Sequence, residues 1–123
     1  MVLTTSILTN VRSDIKDYLE TVMLYGAVGD DNTTPVAADT TLGNETFRKA
    51  IDAFDKTSQS SQITASLKIL STENNGESVV EVGWLTAASA GTLLTHSLVN
   101  SISKTSDIQL YLDTTITITV TEG

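Results

Sequence analysis

The only imidazole in the chain belongs to His96, so a serine-histidine-aspartate site would have to use it as the general base. His96 lies within residues 93–98, where polar and apolar residues alternate as they do along a half-buried strand. In such a segment we expect a solvated strand residue or an interface contact. The sequence therefore predicts no catalytic residue, and an enzyme is the least favoured class of function.

Two other segments contain residue types that bind ions or nucleotides. Asp30 to Asn32 offers carboxylate and amide oxygens, but the spaced acidic residues and closing glutamate of an EF-hand calcium loop are absent. Gly26 to Gly29 lacks the third glycine and the lysine of phosphate-binding loops. We interpret the first segment as an acidic turn and the second as the end of a strand, with no metal and no cofactor.

Three residues in predicted strands have structural interpretations. Trp84 is the only tryptophan, and its large apolar surface favours a core position over a sugar-stacking site. Arg48 and Glu81 each lie between apolar neighbours, and we expect them to meet as a charged pair across the sheet. A plain surface position is the alternative for either residue.

Length and composition describe one folded domain that spans residues 1–123. The chain has 40% hydrophobic and 18% charged residues, which is enough apolar material for a core. A net charge of -8 with only 7 basic residues argues against binding to nucleic acid phosphates. The first residues show neither a signal peptide nor a membrane span. We therefore expect synthesis in the cytoplasm and no membrane partner.

Residues 6–22 carry apolar side chains at three- and four-residue steps, which predicts an amphipathic helix with Ser6 as its N-cap. Val11, Ile15 and Leu19 lie on the apolar side, and we expect them to contact another subunit. Residues 23–123 are predicted to form a β domain. It begins with a strand ending at residue 28, a loop at 30–35 and a short capped helical turn at 39–45.

After residue 45 the apolar residues recur with a period of two, which predicts β-strands. We expect strands at 47–54, 62–69, 79–85, 92–99 and 108–121. An Asn-Gly hairpin turn at 73–77 should place the strand 79–85 antiparallel to the strand 62–69. A reversal at 87–91 and a polar turn at 100–106 should separate the strands that follow. The fold class is mainly β: an antiparallel β-sandwich or small barrel of five to six strands with an N-terminal amphipathic helix.

The last predicted strand has the composition of an assembly surface. Residues 114–121 are all β-branched, which favours extended backbone. No charge between Asp113 and Glu122 discourages pairing with another chain. We therefore predict that Ile116 and Ile118 are interface residues.

Several of these segments together resemble a group of short structural proteins of tailed viruses of bacteria and archaea, usually described as tail, fibre-associated or baseplate proteins. The group has an Asp-Thr-x-Leu-x-x-Glu-x-x-Arg element, and after an Asn-Gly turn an apolar-Glu-apolar-Gly-apolar strand. The matching residues here are Asp39, Leu42, Glu45, Arg48, Glu81, Gly83 and Trp84. His96 stands where the group more often has arginine, and the resemblance covers about residues 20 to 121.

The resemblance implies a non-enzymatic, multi-copy component of the virion tail, neck, baseplate or fibre attachment, with other virion proteins and further copies of itself as partners. One alternative is a capsid decoration or turret protein, which would be present in more copies. Another is a glycan-binding host-adhesion module using Trp84, Tyr25 or Tyr111, although the sequence shows no aromatic cluster to support a host glycan. Among the non-enzymatic functions a pilus or cell-surface subunit ranks last, because the sequence shows neither the long apolar helix nor the processing signal of such subunits.

Overall fold

The computed structural model describes residues 9–119, which form one helix and two antiparallel sheets. The elements in chain order are α1 (Thr9–Val22), β1 (Tyr25–Gly29), β2 (Glu45–Ala50), β3 (Ala53–Asp55), β4 (Gln62–Ile69), β5 (Ser78–Leu85), β6 (Leu93–Ser103) and β7 (Leu110–Thr117). The strand orders are β2-β1-β5-β6 and β3-β4-β7. The predicted mainly β class is confirmed. Within the described range there are seven strands instead of five or six, and two separate sheets replace a closed barrel.

The core lies between the two sheets because β4 alternates strictly between buried and half-buried residues. Its buried side chains pack against those of the four-stranded sheet; the buried residues shared between β4 and that sheet are Ile63, Ala65, Leu67, Ile69, Val28, Val79, Val82 and Trp84. Trp84 is fully buried, as expected of a core anchor. Its indole N–H has no hydrogen-bond partner among residues 9–119. This burial excludes a sugar-stacking role for Trp84.

The predicted single strand at 47–54 is wrong, because the chain passes there from one sheet to the other. The Ile51 N–H donates to the Leu24 carbonyl at 2.9 Å, next to the four-stranded sheet. One residue later the Asp52 N–H donates to the Ser66 carbonyl of β4 at 3.0 Å. The apolar alternation continues across this step, so the pattern alone does not show that the chain changes partners.

The Asn-Gly turn forms, but the hairpin predicted from it is wrong. Asn74 and Gly76 have positive φ angles of 55° and 88°, as a tight turn requires. The turn nevertheless joins β4 to β5 in different sheets. A turn fixes only local backbone angles and not the partner of the strand that follows. β5 enters the four-stranded sheet, where β1 and β6 pair with its two edges. It is buried on both faces from Glu81 to Leu85, because the second sheet packs on one face and the segment 30–44, including Leu42, packs on the other.

The reversal at 87–91 forms as predicted, with positive φ angles at Ala90 and Gly91. β6 then continues to Ser103, beyond the predicted end at 99 and into the predicted polar turn, because Ser103 and Ile102 pair with the beginning of β5. The last strand, β7, is shorter than the predicted 108–121. Residues 120 and 121 lie outside the described range, as do Ser6 and the predicted first residues of the helix.

Helix α1 packs on the sandwich with a mixed polar and apolar side. Lys16 is buried, and its Nζ donates to the carbonyls of Lys56 and Gln59 at 3.1 and 2.6 Å. Leu19 packs against the core. Within residues 9–119 no helix has the length and apolar character needed to cross a membrane.

Candidate functional site

The loop between β1 and β2, residues 30–44, is held against β5 by the carboxylate of Glu81, which is fully buried. Oε1 accepts a hydrogen bond from the Gly43 N–H at 2.7 Å, and Oε2 accepts from Asn44 and Asp31 N–H groups at 2.9 and 3.1 Å. Because these N–H groups point at Glu81, the chain is non-helical here. The predicted helical turn at 39–45 is therefore wrong.

His96 on β6 completes this site. Its Nε2 lies 2.8 Å from Glu81 Oε1, and its Nδ1 lies 2.8 Å from Asp39 Oδ2. The His96 side chain is only 9% exposed. A solvated strand residue is thus the wrong interpretation, and we refer to the three residues as the Asp39–His96–Glu81 cluster. It joins the 30–44 loop to two neighbouring strands.

The geometry of the cluster determines its chemistry. Both ring nitrogens of His96 face carboxylate oxygens, so each has a hydrogen-bond partner within the chain. The arrangement suits a buried hydrogen-bond network that fastens the 30–44 loop to β5 and β6.

Asp39 closes the outer end of the cluster. Its Oδ2 also accepts a hydrogen bond from the Val36 N–H at 2.9 Å. The pKa of the Asp39 carboxyl is lowered below its ordinary value of 3.8, mainly by this bond and to a smaller extent by the bond to His96. A cavity of about 300 Å³ lies beside Asp39 and His96 and is otherwise lined by Pro35, Val36, Ala37, Leu93, Leu94 and Thr95. Most of these neighbours are aliphatic, so the cavity adds no further acid or base.

Leu42 and Gly83 form the apolar part of the same site. Leu42 is 4% exposed and packs with Ala27 and Leu85 in a small second core under the loop. A Cβ atom at Gly83 would lie 2.7 Å from Leu42 Cδ2 and 2.9 Å from the backbone oxygen of Thr95, so glycine allows both the loop and β6 to approach β5 closely. The predicted motif residues 39, 42, 81 and 83 are thus brought together in one site.

Arg48 does not pair with Glu81, and the predicted cross-sheet ion pair is wrong. β1 lies between β2 and β5, so the two side chains belong to strands that are not adjacent. Arg48 instead makes a bidentate contact with Glu45, at 3.1 and 2.6 Å. Its remaining nitrogen donates to the carbonyls of Ala87 and Ala90, both at 2.9 Å. Arg48 therefore fastens the β5–β6 turn to β2.

The other candidates have ordinary structural roles. Asp31 accepts from the Thr33 N–H at 2.6 Å, and Asp30 accepts from Asn44 Nδ2 at 2.6 Å, so both stabilise the loop. Among residues 9–119, no group of three or more histidine, aspartate or glutamate side chains is arranged to bind a metal ion. Tyr111 is 69% exposed, and the Lys68 ammonium lies 5.4 Å from the centre of its ring.

The predicted interface residues differ in exposure. Val11 and Ile15 are 46% and 40% exposed, whereas Leu19 is partly buried and packs against the core. Ile116 is half-buried and packs against the core from β7. Ile118 follows the strand, and its N–H donates to the Ser61 carbonyl at 2.6 Å.

The sequence alone does not predict that His96 and the N–H groups of residues 43 and 44 bind Glu81. A signal for them existed in β5, because a glutamate inside a segment that is apolar on both faces must find donors to be buried. The identity of those donors depends on a loop that closes over the strand. Comparison with known proteins found that no protein-family model and no curated protein matches this chain.

Proposed function

We propose that this protein is a non-catalytic, multi-copy structural component of a tailed virus particle, located in the tail, neck, baseplate or fibre attachment. The observation that carries the proposal is that the charged motif residues are bound within the chain itself. Asp39, Glu81 and Arg48 direct their charged groups at other parts of the same chain. A site built in this way stabilises a shape and offers no reactive group to a substrate.

A second line of support is the match between these contacts and the resemblance. The group more often has arginine where this chain has His96. Arginine would also offer N–H donors to the same two carboxylates, so either residue can hold the 30–44 loop on the sheet. The shared pattern is then a pattern of loop attachment, as expected when related proteins keep a common shape for assembly.

The available surfaces also favour assembly. α1 exposes Val11, Ile15 and Tyr18, which are spaced along one side of the helix. β6 and β7 are both edge strands. In a symmetric particle each contact is repeated, so modest interfaces are sufficient.

The test is to purify virus particles from the culture that produces the protein and to quantify its peptides against those of the major capsid protein. A fixed copy number well below that of the capsid protein supports a tail, neck or fibre component. A copy number similar to that of the capsid protein indicates the decoration alternative. Absence from purified particles contradicts the proposal.

A further inference from the structure

The free edge of β7 is the most regular exposed strand edge in residues 9–119. β7 pairs with β4 over eight consecutive positions without a register shift. The other edges are interrupted or charged: β6 contains two irregularities against β5, β3 has only 3 residues, and β2 carries Glu45, Arg48 and Lys49. Proteins usually protect edge strands with such features. β7 has only Asp113 as a charged residue.

The hydrogen bonds show which β7 groups point to the free edge. Ile118 donates to Ser61 across the ladder, and directly opposite residues in an antiparallel pair alternate between bonded and non-bonded. Even-numbered β7 residues therefore bond to β4. In agreement, Thr115 lies opposite Thr64 and meets it through the side-chain hydroxyls at 3.1 Å. The N–H and C=O groups of Tyr111, Asp113, Thr115 and Thr117 are left for a partner strand.

We propose that the partner is β7 of a second copy, paired antiparallel about Thr114, so that two three-stranded sheets become one continuous sheet. The inference rests on the proposed function, since it names the contact through which copies assemble. The inward-facing residues of both strands must lie on the same face of the joined sheet. This requires that one residue lies directly opposite its own copy in the partner strand. Centring on Asp113 would place two carboxylates directly opposite each other. Centring on Thr114 places Asp113 opposite Thr115 and Leu112 opposite Ile116.

Charge and shape favour this occupant. Each copy carries a net charge of -8, so two copies associate with least repulsion along a strand that has one carboxylate and many threonines. A groove of about 260 Å³ lies beside the edge, with a mixed lining of Val82 from β5, Ser97, Leu98 and Val99 from β6, and Leu112 to Thr115 from β7. The inward-facing Leu112 and Ile116 of the second copy would extend the apolar part of this lining.

A disulfide test reports the register directly, because the natural chain has no cysteine. In the Thr114-centred register the two copies of residue 114 form a non-bonded pair, whose Cα atoms are about 4.5 Å apart. That spacing permits a disulfide. We expect Thr114→Cys to give a covalent dimer under mild oxidation. The matched control Thr115→Cys should give no covalent dimer, because its two copies would be about 7–8 Å apart along the diagonal.

A proline test separates pairing from folding. The Thr115 N–H points to the free edge, so Thr115→Pro blocks the partner strand and leaves the β4 ladder intact. We expect light scattering in high salt to show twice the 13.1 kDa chain mass for the natural protein and one chain mass for Thr115→Pro, with similar melting temperatures. Thr115→Ala controls for the lost hydroxyl, and Thr114→Pro should instead lower the melting temperature.

The outcomes distinguish this proposal from the proposed function. If Thr115→Pro assembles like the natural protein, or if Thr115→Cys cross-links as readily as Thr114→Cys, β7 pairing about Thr114 is refuted while a virion role through another surface stands. A natural protein that is found in particles but is monomeric in all conditions refutes β7 pairing as well. Absence from particles refutes the proposed function alone, since β7 pairing is measured on the purified protein.

Discussion

Replacing Glu81 with glutamine should destabilise the protein strongly, although the side chain keeps its size. The carboxylate is fully buried and accepts four hydrogen bonds, three from backbone N–H groups and one from His96. Glutamine replaces one of the two oxygens with an NH₂ group, and in either orientation this group faces backbone N–H donors with which it cannot bond. Each lost hydrogen bond to a buried charged acceptor costs about 1.5–3 kcal/mol, so we expect a total loss of about 3 kcal/mol or more.

For a domain of this size, about 3 kcal/mol corresponds to a fall in melting temperature of about 10 °C. Thermal unfolding followed by circular dichroism measures it, with Glu77→Gln as the matched control, because Glu77 is exposed and undergoes the same chemical change. The control should shift stability by less than about 0.5 kcal/mol. If Glu81→Gln melts within about 3 °C of the natural protein, the buried network is not what holds the 30–44 loop.

Substitutions at three further positions test parts of the same site. The lowered pKa of Asp39 means that its stabilisation is complete above pH 3.8 and is lost as the pH falls through the lower folded-state value, so the difference in melting temperature between the natural protein and Asp39→Asn should be largest at pH 6 and should vanish in strong acid. His96→Arg should melt close to the natural protein and His96→Leu well below it, whereas equal losses would argue against a charge role. Gly83→Ala should cost about 1–3 kcal/mol, because the added methyl group would press on the Thr95 backbone oxygen and on the Leu42 side chain, and a denaturant titration that shows no loss would contradict these close contacts.

The sequence predicts the element types well, since they depend on local alternation and on turn residues. The clean alternation of β4 and the positive φ angles at Asn74 and Gly76 follow from the residues themselves. The partners of each strand do not. Asn74 and Gly76 form the same turn whether β5 returns beside β4 or enters the other sheet. The choice depends on non-local contacts, since β5 pairs with β1 and β6 at its edges and is covered on its faces by the other sheet and by the 30–44 loop.

The candidate site was predictable in part for the same reason. Asp39, Leu42, Glu81 and Gly83 were identified by their pattern, but their contacts were not. Glu81 finds its donors 37 to 50 residues away in the 30–44 loop. The pairing of His96 with two carboxylates depends on adjacent strands and on that loop together, and no local pattern in the sequence specifies such a combination.

The ladder between β4 and β7 has a consequence for the order of folding. It joins residues that are distant in the chain, with Gln62 and Thr117 separated by 55 positions. Such non-local pairing slows folding, because a long loop must close before any contact is gained. In a chain that has not yet been translated to Leu110, one edge of β4 is unpaired and the other has only the three-residue β3 beside it. We therefore expect incompletely translated chains to be removed by aggregation or proteolysis, so that only chains whose β7 has been synthesised reach the pool of folded protein.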